Sequence, residues 1–262
     1  MGQEGIEVEN QGVGRRRLQV PGHNCPAFLI DGKILLDAGT IALSLNITEE
    51  HSLGWILLTH VHLDHIKGIP FLLDNLVTRR TGNTITVLSG KDVLHDLGKN
   101  IFNDRIWPDF SRIPTPARPV LRYMNIGTSR PFLIDGYRIT MEKVHHTVPA
   151  YGYIVGKPGN KAIAYTGDTG PTDRFWERMA ARDVKHLITE TSFPNRLEKL
   201  ALATGHLTPS LLEGEIAKMS PPPEKIFIMH LKPQFLNEIE MEIRALEHDN
   251  LEFLKDGEVI LA

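Results

Sequence analysis

Short apolar runs that end in polar turns recur along the chain. Residues 27–30 (AFLI) and 33–36 (KILL) flank Asp31-Gly32, which predicts two strands joined by a tight hairpin turn. Residues 55–58, 162–165, 186–188 and 226–229 are brief apolar runs bounded by polar residues and predict buried strands. Residues 137–144 and 151–155 predict two more. Residues 173–181 and 209–219 predict helices. The second has a clear start, with Thr208 as N-cap and Pro209 at the first helical position. Its apolar residues Leu211, Leu212, Ile216 and Met219 fall on one face. The first part is mostly strands and the rest mixes strands with helices. There is no fixed-period repeat, low-complexity tract or obvious linker, so the expectation is one α/β domain over residues 1–262. Its economical architecture is an αββα sandwich, two sheets flanked by helices.

Three of the apolar strands run into a histidine or an aspartate: WILLTH, AIAYTGD and KIFIMH. Strand ends of α/β sheets gather ligand sites because rigid strands aim several side chains at one place. The densest such place is THVHLDHIKG, residues 59–68, with His60, His62, Asp64 and His65 within six positions. His60 and His62 alternate along an extended segment and can point the same way. The turn after them lets Asp64 and His65 serve a neighbouring position. A single ion with an open position needs only three protein ligands. Four candidates here, with more downstream, suit two ions about 3.5–4 Å apart. A lone histidine is usually a core or surface residue, but this spacing after an apolar strand points to metal.

Composition narrows the partners. The chain has 262 residues, 41% hydrophobic and 23% charged, with formal net charge −3. A chain that grips long nucleic acid electrostatically is usually basic, so this balance argues against that role. Arg15-Arg16-Arg17 is the only visible basic patch and reads as solvated loop or strand edge. Cys25 is the single cysteine, which rules out an intrachain disulfide, and it reads as a small buried hydrophobe. The N-terminus lacks a secretory apolar region and no stretch is long enough to span a bilayer, so a soluble cytoplasmic protein is expected.

The motif set resembles the metallo-β-lactamase superfamily. Its signature stands here as Thr59-His60-Val61-His62-Leu63-Asp64-His65. A later histidine before a Gly-Tyr pair is offered by HHTVPAYGY. His146 has the spacing to Gly152-Tyr153 seen in phosphodiesterase members, with His145 as a neighbour. Asp168 stands in TGDT and His230 ends IFIMH. The resemblance implies that His60, His62 and His146 hold a first ion, that Asp64, His65 and His230 hold a second, and that Asp168 bridges them. Zn²⁺ is the expected ion, and Mn²⁺ or Fe²⁺ suits the same donors.

Within the superfamily, the flavodiiron glutamate replacement and the late cysteine of common zinc β-lactamases are both missing. Glu190 in ITETSF and His206 in TGHLTPS resemble the glutamate–histidine element of tRNase Z and related phosphodiesterases, a pair glyoxalases lack. HVHLDHIKGIP, IFNDRIWPDFSRIP and CPAFLIDGKILLDAGT resemble class II cyclic-nucleotide phosphodiesterases, with Pro70 a departure from the aliphatic residue of that signature. The implied activity is hydrolysis of 3′,5′-cyclic nucleotides to 5′-nucleotides by a metal-bridging hydroxide. Asp64, Asp168, His206 and Glu190 would carry the chemistry. The implied partner is a small cyclic nucleotide, with no membrane or nucleic acid, and a homodimer is expected by resemblance. Trp107 and Phe110 are either core or a wall for the base. The alternatives are a tRNase Z-like RNA phosphodiesterase and a lactonase or thioesterase.

Overall fold

The computed structural model describes residues 6–10, 24–41, 45, 47–79 and 82–261, so the Arg15-Arg16-Arg17 triplet lies outside the described residues. The chain forms two compact units, one of residues 7–127 with 255–260 and one built on residues 128–254.

The first unit contains β1 (Glu7–Asn10), β2 (Phe28–Ile30), β3 (Ile34–Leu36), α1 (Ile47–Ser52) and β4 (Trp55–Leu57). It continues with α2 (Leu63–Ile66), α3 (Gly68–Thr78), β5 (Ile85–Ser89), α4 (Lys91–Asn100), the short pair β6 (Pro114–Thr115) and β7 (Arg118–Pro119), and β8 (Leu121–Asn125). The expected hairpin is present, with β2 and β3 antiparallel and Phe28 opposite Leu36. Asp31 and Gly32 have φ of +45° and +67°, and the Lys33 N–H donates to the Ile30 carbonyl at 2.9 Å. Two positive φ values in sequence make a type I′ turn, whose twist matches that of the flanking strands. The strands β3, β4, β5 and β8 then run parallel; the apolar residues of β3 and β5 are buried, as are Ile56, Leu57 and Leu121, while Trp55 and Met124 are half-buried. Cys25, expected to be buried, is only half-buried: Lys67 Nζ donates to its sulfur at 3.0 Å.

The second unit contains β9 (Phe132–Ile134), β10 (Tyr137–Lys143), β11 (Tyr151–Gly156), β12 (Ala162–Tyr165), α5 (Arg174–Ala180) and β13 (Val184–Glu190). After these come α6 (Glu198–Thr204), α7 (Pro209–Ile216), β14 (Lys225–Met229), α8 (Leu236–Arg244) and β15 (Leu251–Phe253). Its sheet runs β15-β14-β13-β12-β11-β10-β9, with β12 to β15 parallel. A last strand, β16 (Val259–Leu261), lies beside β1 in the other sheet. Ile154, Ala164, Phe175, Leu187, Leu212, Ile226 and Ile239 share one buried cluster. Gly152 on β11 is required by that packing, because a Cβ there would lie 2.5 Å from the Phe175 ring. As expected, Thr208 caps α7, its side chain accepting from the Leu211 N–H at 3.3 Å. That helix ends at Ile216, short of residue 219, although Met219 still packs into the core. Among the described residues no helix is long and apolar enough to cross a membrane.

His186 on β13 is a buried titratable group away from the candidate site. Its Nε2 donates to the Leu261 carbonyl at 3.0 Å. Burial lowers its pKa from 6.5, partly offset by that hydrogen bond; Lys185 and Lys225 push the same way as burial and Glu224 opposes them. The unfolded chain therefore takes up this proton near pH 6.5, and the folded chain only at lower pH. The neutral ring contributes stability fully above pH 6.5, and that contribution is lost as pH falls below it towards the folded pKa. The melting temperature of His186→Gln is expected to fall less than that of the wild type between about pH 7 and about pH 5. Parallel curves for the two proteins would refute this.

Candidate functional site

Both units place their chemistry at the C-terminal ends of parallel strands. In the first unit Asp37 follows β3 and Thr59-His60 follows β4. Asp37 is fully buried with φ of +54°, an uncommon conformation for a residue other than glycine. Its carboxylate accepts from the Thr59 N–H at 2.7 Å, the Thr59 hydroxyl at 2.8 Å and His65 Nδ1 at 2.7 Å. The Thr59 hydroxyl has given its one proton to Asp37, so it can only accept from His60 Nδ1, at 2.9 Å. One carboxylate thus fixes two histidines, His65 directly and His60 through a hydroxyl. The His60 and His65 rings lie 4.1 Å apart and those of His60 and His62 4.7 Å. His60 and His65 are fully buried, His62 and Asp64 half-buried. Asp64 Oδ2 lies 3.9 Å from His65 Nε2.

The second unit repeats the device. Glu190 is the last residue of β13 and is fully buried. Its Oε1 accepts from His206 Nδ1 at 2.6 Å and from the Thr169 N–H at 2.9 Å. Its Oε2 accepts from the Ser192 hydroxyl at 2.7 Å and from the Leu207 N–H at 3.4 Å. His230, directly after β14, has its Nδ1 2.8 Å from the Ser192 oxygen. Asp168, beyond the end of β12, is 2% exposed, with Oδ2 3.5 Å from His230 Nε2. Glu190, His206 and His230 each present a polar atom within 4.8 Å of the others. The His206 ring stacks against that of His230 at 5.6 Å and meets that of His146 edge-on at 5.0 Å.

His146 Nδ1 donates to the Gly205 carbonyl at 2.8 Å. Gly205 itself has φ of +65°, and a Cβ there would lie 2.8 Å from His146 Cα and 3.0 Å from its Nδ1. Glycine is therefore required twice, for the backbone turn after α6 and for room beside the ring. The adjacent His145 has an exposed side chain, and its carbonyl accepts from the Gly170 N–H at 2.7 Å. It holds the loop that follows Asp168.

These contacts test whether the residues fit divalent ions. The rings of His60, His65, His146 and His230 each have Nδ1 committed to a hydroxyl, carboxylate or carbonyl oxygen. In each, Nε2 is then the nitrogen that could coordinate an ion. A ligand histidine ordinarily has its other nitrogen anchored in this way. With two aspartates beside them, the donors are the nitrogen and oxygen set that Zn²⁺, Mn²⁺ and Fe²⁺ accept.

Asp37, Thr59, Ser192 and Gly205 are not among the residues expected from the motifs, yet they contact and orient the histidines that are. Of the two aromatics, Phe110 is core, 3% exposed and 6.2 Å from the Phe102 ring. Trp107 is half-buried and meets Phe71, itself 53% exposed, edge-on at 5.4 Å.

Fold and donors together define a protein of the metallo-β-lactamase type. A model of the β-lactamase superfamily domain matches residues 33–230, and the chain belongs to that superfamily. A probable 3′,5′-cyclic-nucleotide phosphodiesterase of Yersinia pestis is 27% identical over 207 residues, 70% of this chain and 58% of that protein. Ribonuclease Z of a Bradyrhizobium strain is 26% identical over 244 residues, 72% of this chain and 79% of its own. The crystal structure of unliganded yeast PDE1 superposes with a TM-score of 0.79 at 16% identity, covering 99% of this chain and 100% of that one. The expected α/β class, two large sheets with flanking helices, stands.

Proposed function

We propose that the chain is a binuclear metal-dependent phosphodiesterase that hydrolyses 3′,5′-cyclic nucleotides to 5′-nucleotides, its two units acting as one domain. The observation that carries this reading is the Glu190–His206 pair, 2.6 Å long and buried beside His230. Cleavage of a phosphodiester expels an alkoxide, which needs a proton.

Each residue then has a task. His60, His62 and His146 would hold one ion and Asp64, His65 and His230 the other, with Asp168 as a carboxylate donor that would serve both. Two divalent ions so held supply Lewis acidity and a water of lowered pKa. A water that has given up one proton to solvent attacks phosphorus in line; the new P–O bond forms as P–O3′ breaks, and O3′ leaves with its electron pair. His206 keeps Nδ1–H on Glu190, so its Nε2 is the atom placed to deliver the proton to O3′. Glu190 meets no reacting atom: all its partners are protein groups that hold it still. The product is the 5′-monophosphate.

A second reading, an RNA phosphodiesterase, is favoured by the far ends of the same strands. Arg138, Lys157, Lys161, Arg182 and Lys185 line a cavity of about 730 Å³ ahead of β12 and β13. The deciding experiment compares cAMP, cGMP, bis(p-nitrophenyl) phosphate and a precursor tRNA, each with metal-loaded and chelator-stripped protein. Metal-dependent release of a 5′-nucleotide from a cyclic nucleotide is the expected result. Cleavage of the RNA alone, steeply weakened by salt, would replace it with the second reading. Two bound ions without any phosphodiester cleavage would turn the search to lactones and thioesters.

A further inference from the structure

We propose that Ser192 is a positioning residue that sets the ring of His230 for its ion and ties that ligand to the Glu190–His206 pair; this rests on the metal reading above. Ser192 is fully buried, and its oxygen lies 2.7 Å from Glu190 Oε2, 2.8 Å from His230 Nδ1, 3.1 Å from the His230 carbonyl and 3.3 Å from His206 Nδ1. A hydroxyl has one proton to give. The carboxylate is the stronger and nearer acceptor, so the proton goes to Glu190. The lone pairs remain for donors, and His230 Nδ1 is the nearest. His230 must then carry its proton on Nδ1 and offer Nε2 to an ion, and the four side chains His206, Glu190, Ser192 and His230 form one chain of hydrogen bonds.

Two further observations support this. The same arrangement, carboxylate to hydroxyl to Nδ1, occurs independently in Asp37, Thr59 and His60. His230 also sits at φ of +60°, a conformation that residues other than glycine rarely adopt. Such a position persists only where its surroundings over-determine it, and Ser192 holds the ring of His230 through its Nδ1–H.

The test uses the full chain, stripped and then titrated with zinc against a chromophoric chelator. For Ser192→Ala one of the two zinc affinities should weaken by roughly 10–100-fold, the usual cost of losing a group behind a metal ligand. Ser192→Thr should restore it, and Ser192→Val, of the same size but without the hydroxyl, should not. Melting curves of the metal-free proteins show whether each variant is folded, and the Thr–Val contrast decides the matter if the Ala variant is not. Two unchanged affinities in the Ala and Val variants would overturn the role of Ser192. A wild type that binds no zinc would instead sink the metal reading on which it rests.

Discussion

Replacing His206 by alanine is expected to lower turnover of the preferred phosphodiester by about 10²–10⁴-fold, the range supplied by a positioned proton donor, while two ions stay bound. The ring is 7% exposed and anchored at Nδ1, so it is aimed rather than mobile. Its loss leaves the Nδ1 contacts of His60, His65, His146 and His230 in place. The deficit should shrink with substrates whose leaving group needs no proton. Bis(p-nitrophenyl) phosphate releases a stabilised phenolate and should lose much less than a cyclic nucleotide. Equal losses on both substrates, or release of metal, would make His206 a ligand or a scaffold instead.

Asp168→Asn is expected to fail differently. The carboxylate is almost fully buried and lies beside His230 Nε2. The amide keeps the size of the side chain but removes its negative charge and one of its two carboxylate oxygens. Several kcal/mol of transition-state stabilisation depend on properly held ions, so activity should fall by about 10³-fold or more. Elemental analysis should find fewer than two ions per chain in this variant and two in His206→Ala. A variant that keeps both ions and full activity would remove Asp168 from the centre.

Much of this was legible because its signals are local. The positive φ pair at Asp31-Gly32, the cap at Thr208 and the apolar runs of β4, β12 and β14 depend on neighbours in sequence. So does the crowding from His60 to His65. What stayed hidden depends on groups distant along the chain. Asp37 stands 28 residues before His65, and Ser192 stands 38 before His230. An acid inside LLDAGT or a serine inside ITETSF is ordinary until the strands bring the histidines to it. Trp107 and Phe110 looked equivalent in sequence; packing against Phe102 separates the core residue from the one that meets an exposed ring. Cys25 is half-buried against its residue type, and Lys67, 42 residues on, reaches its sulfur.

The paired relays have a kinetic consequence. In Asp37–Thr59–His60 and in Glu190–Ser192–His230 every hydrogen points towards the carboxylate. If His60 and His230 take an ion, neither ring has to flip or exchange tautomers, because Nδ1 already carries the proton in both. Loading would then be preorganised, with a rate set by how fast the ion sheds water rather than by rearrangement of the chain.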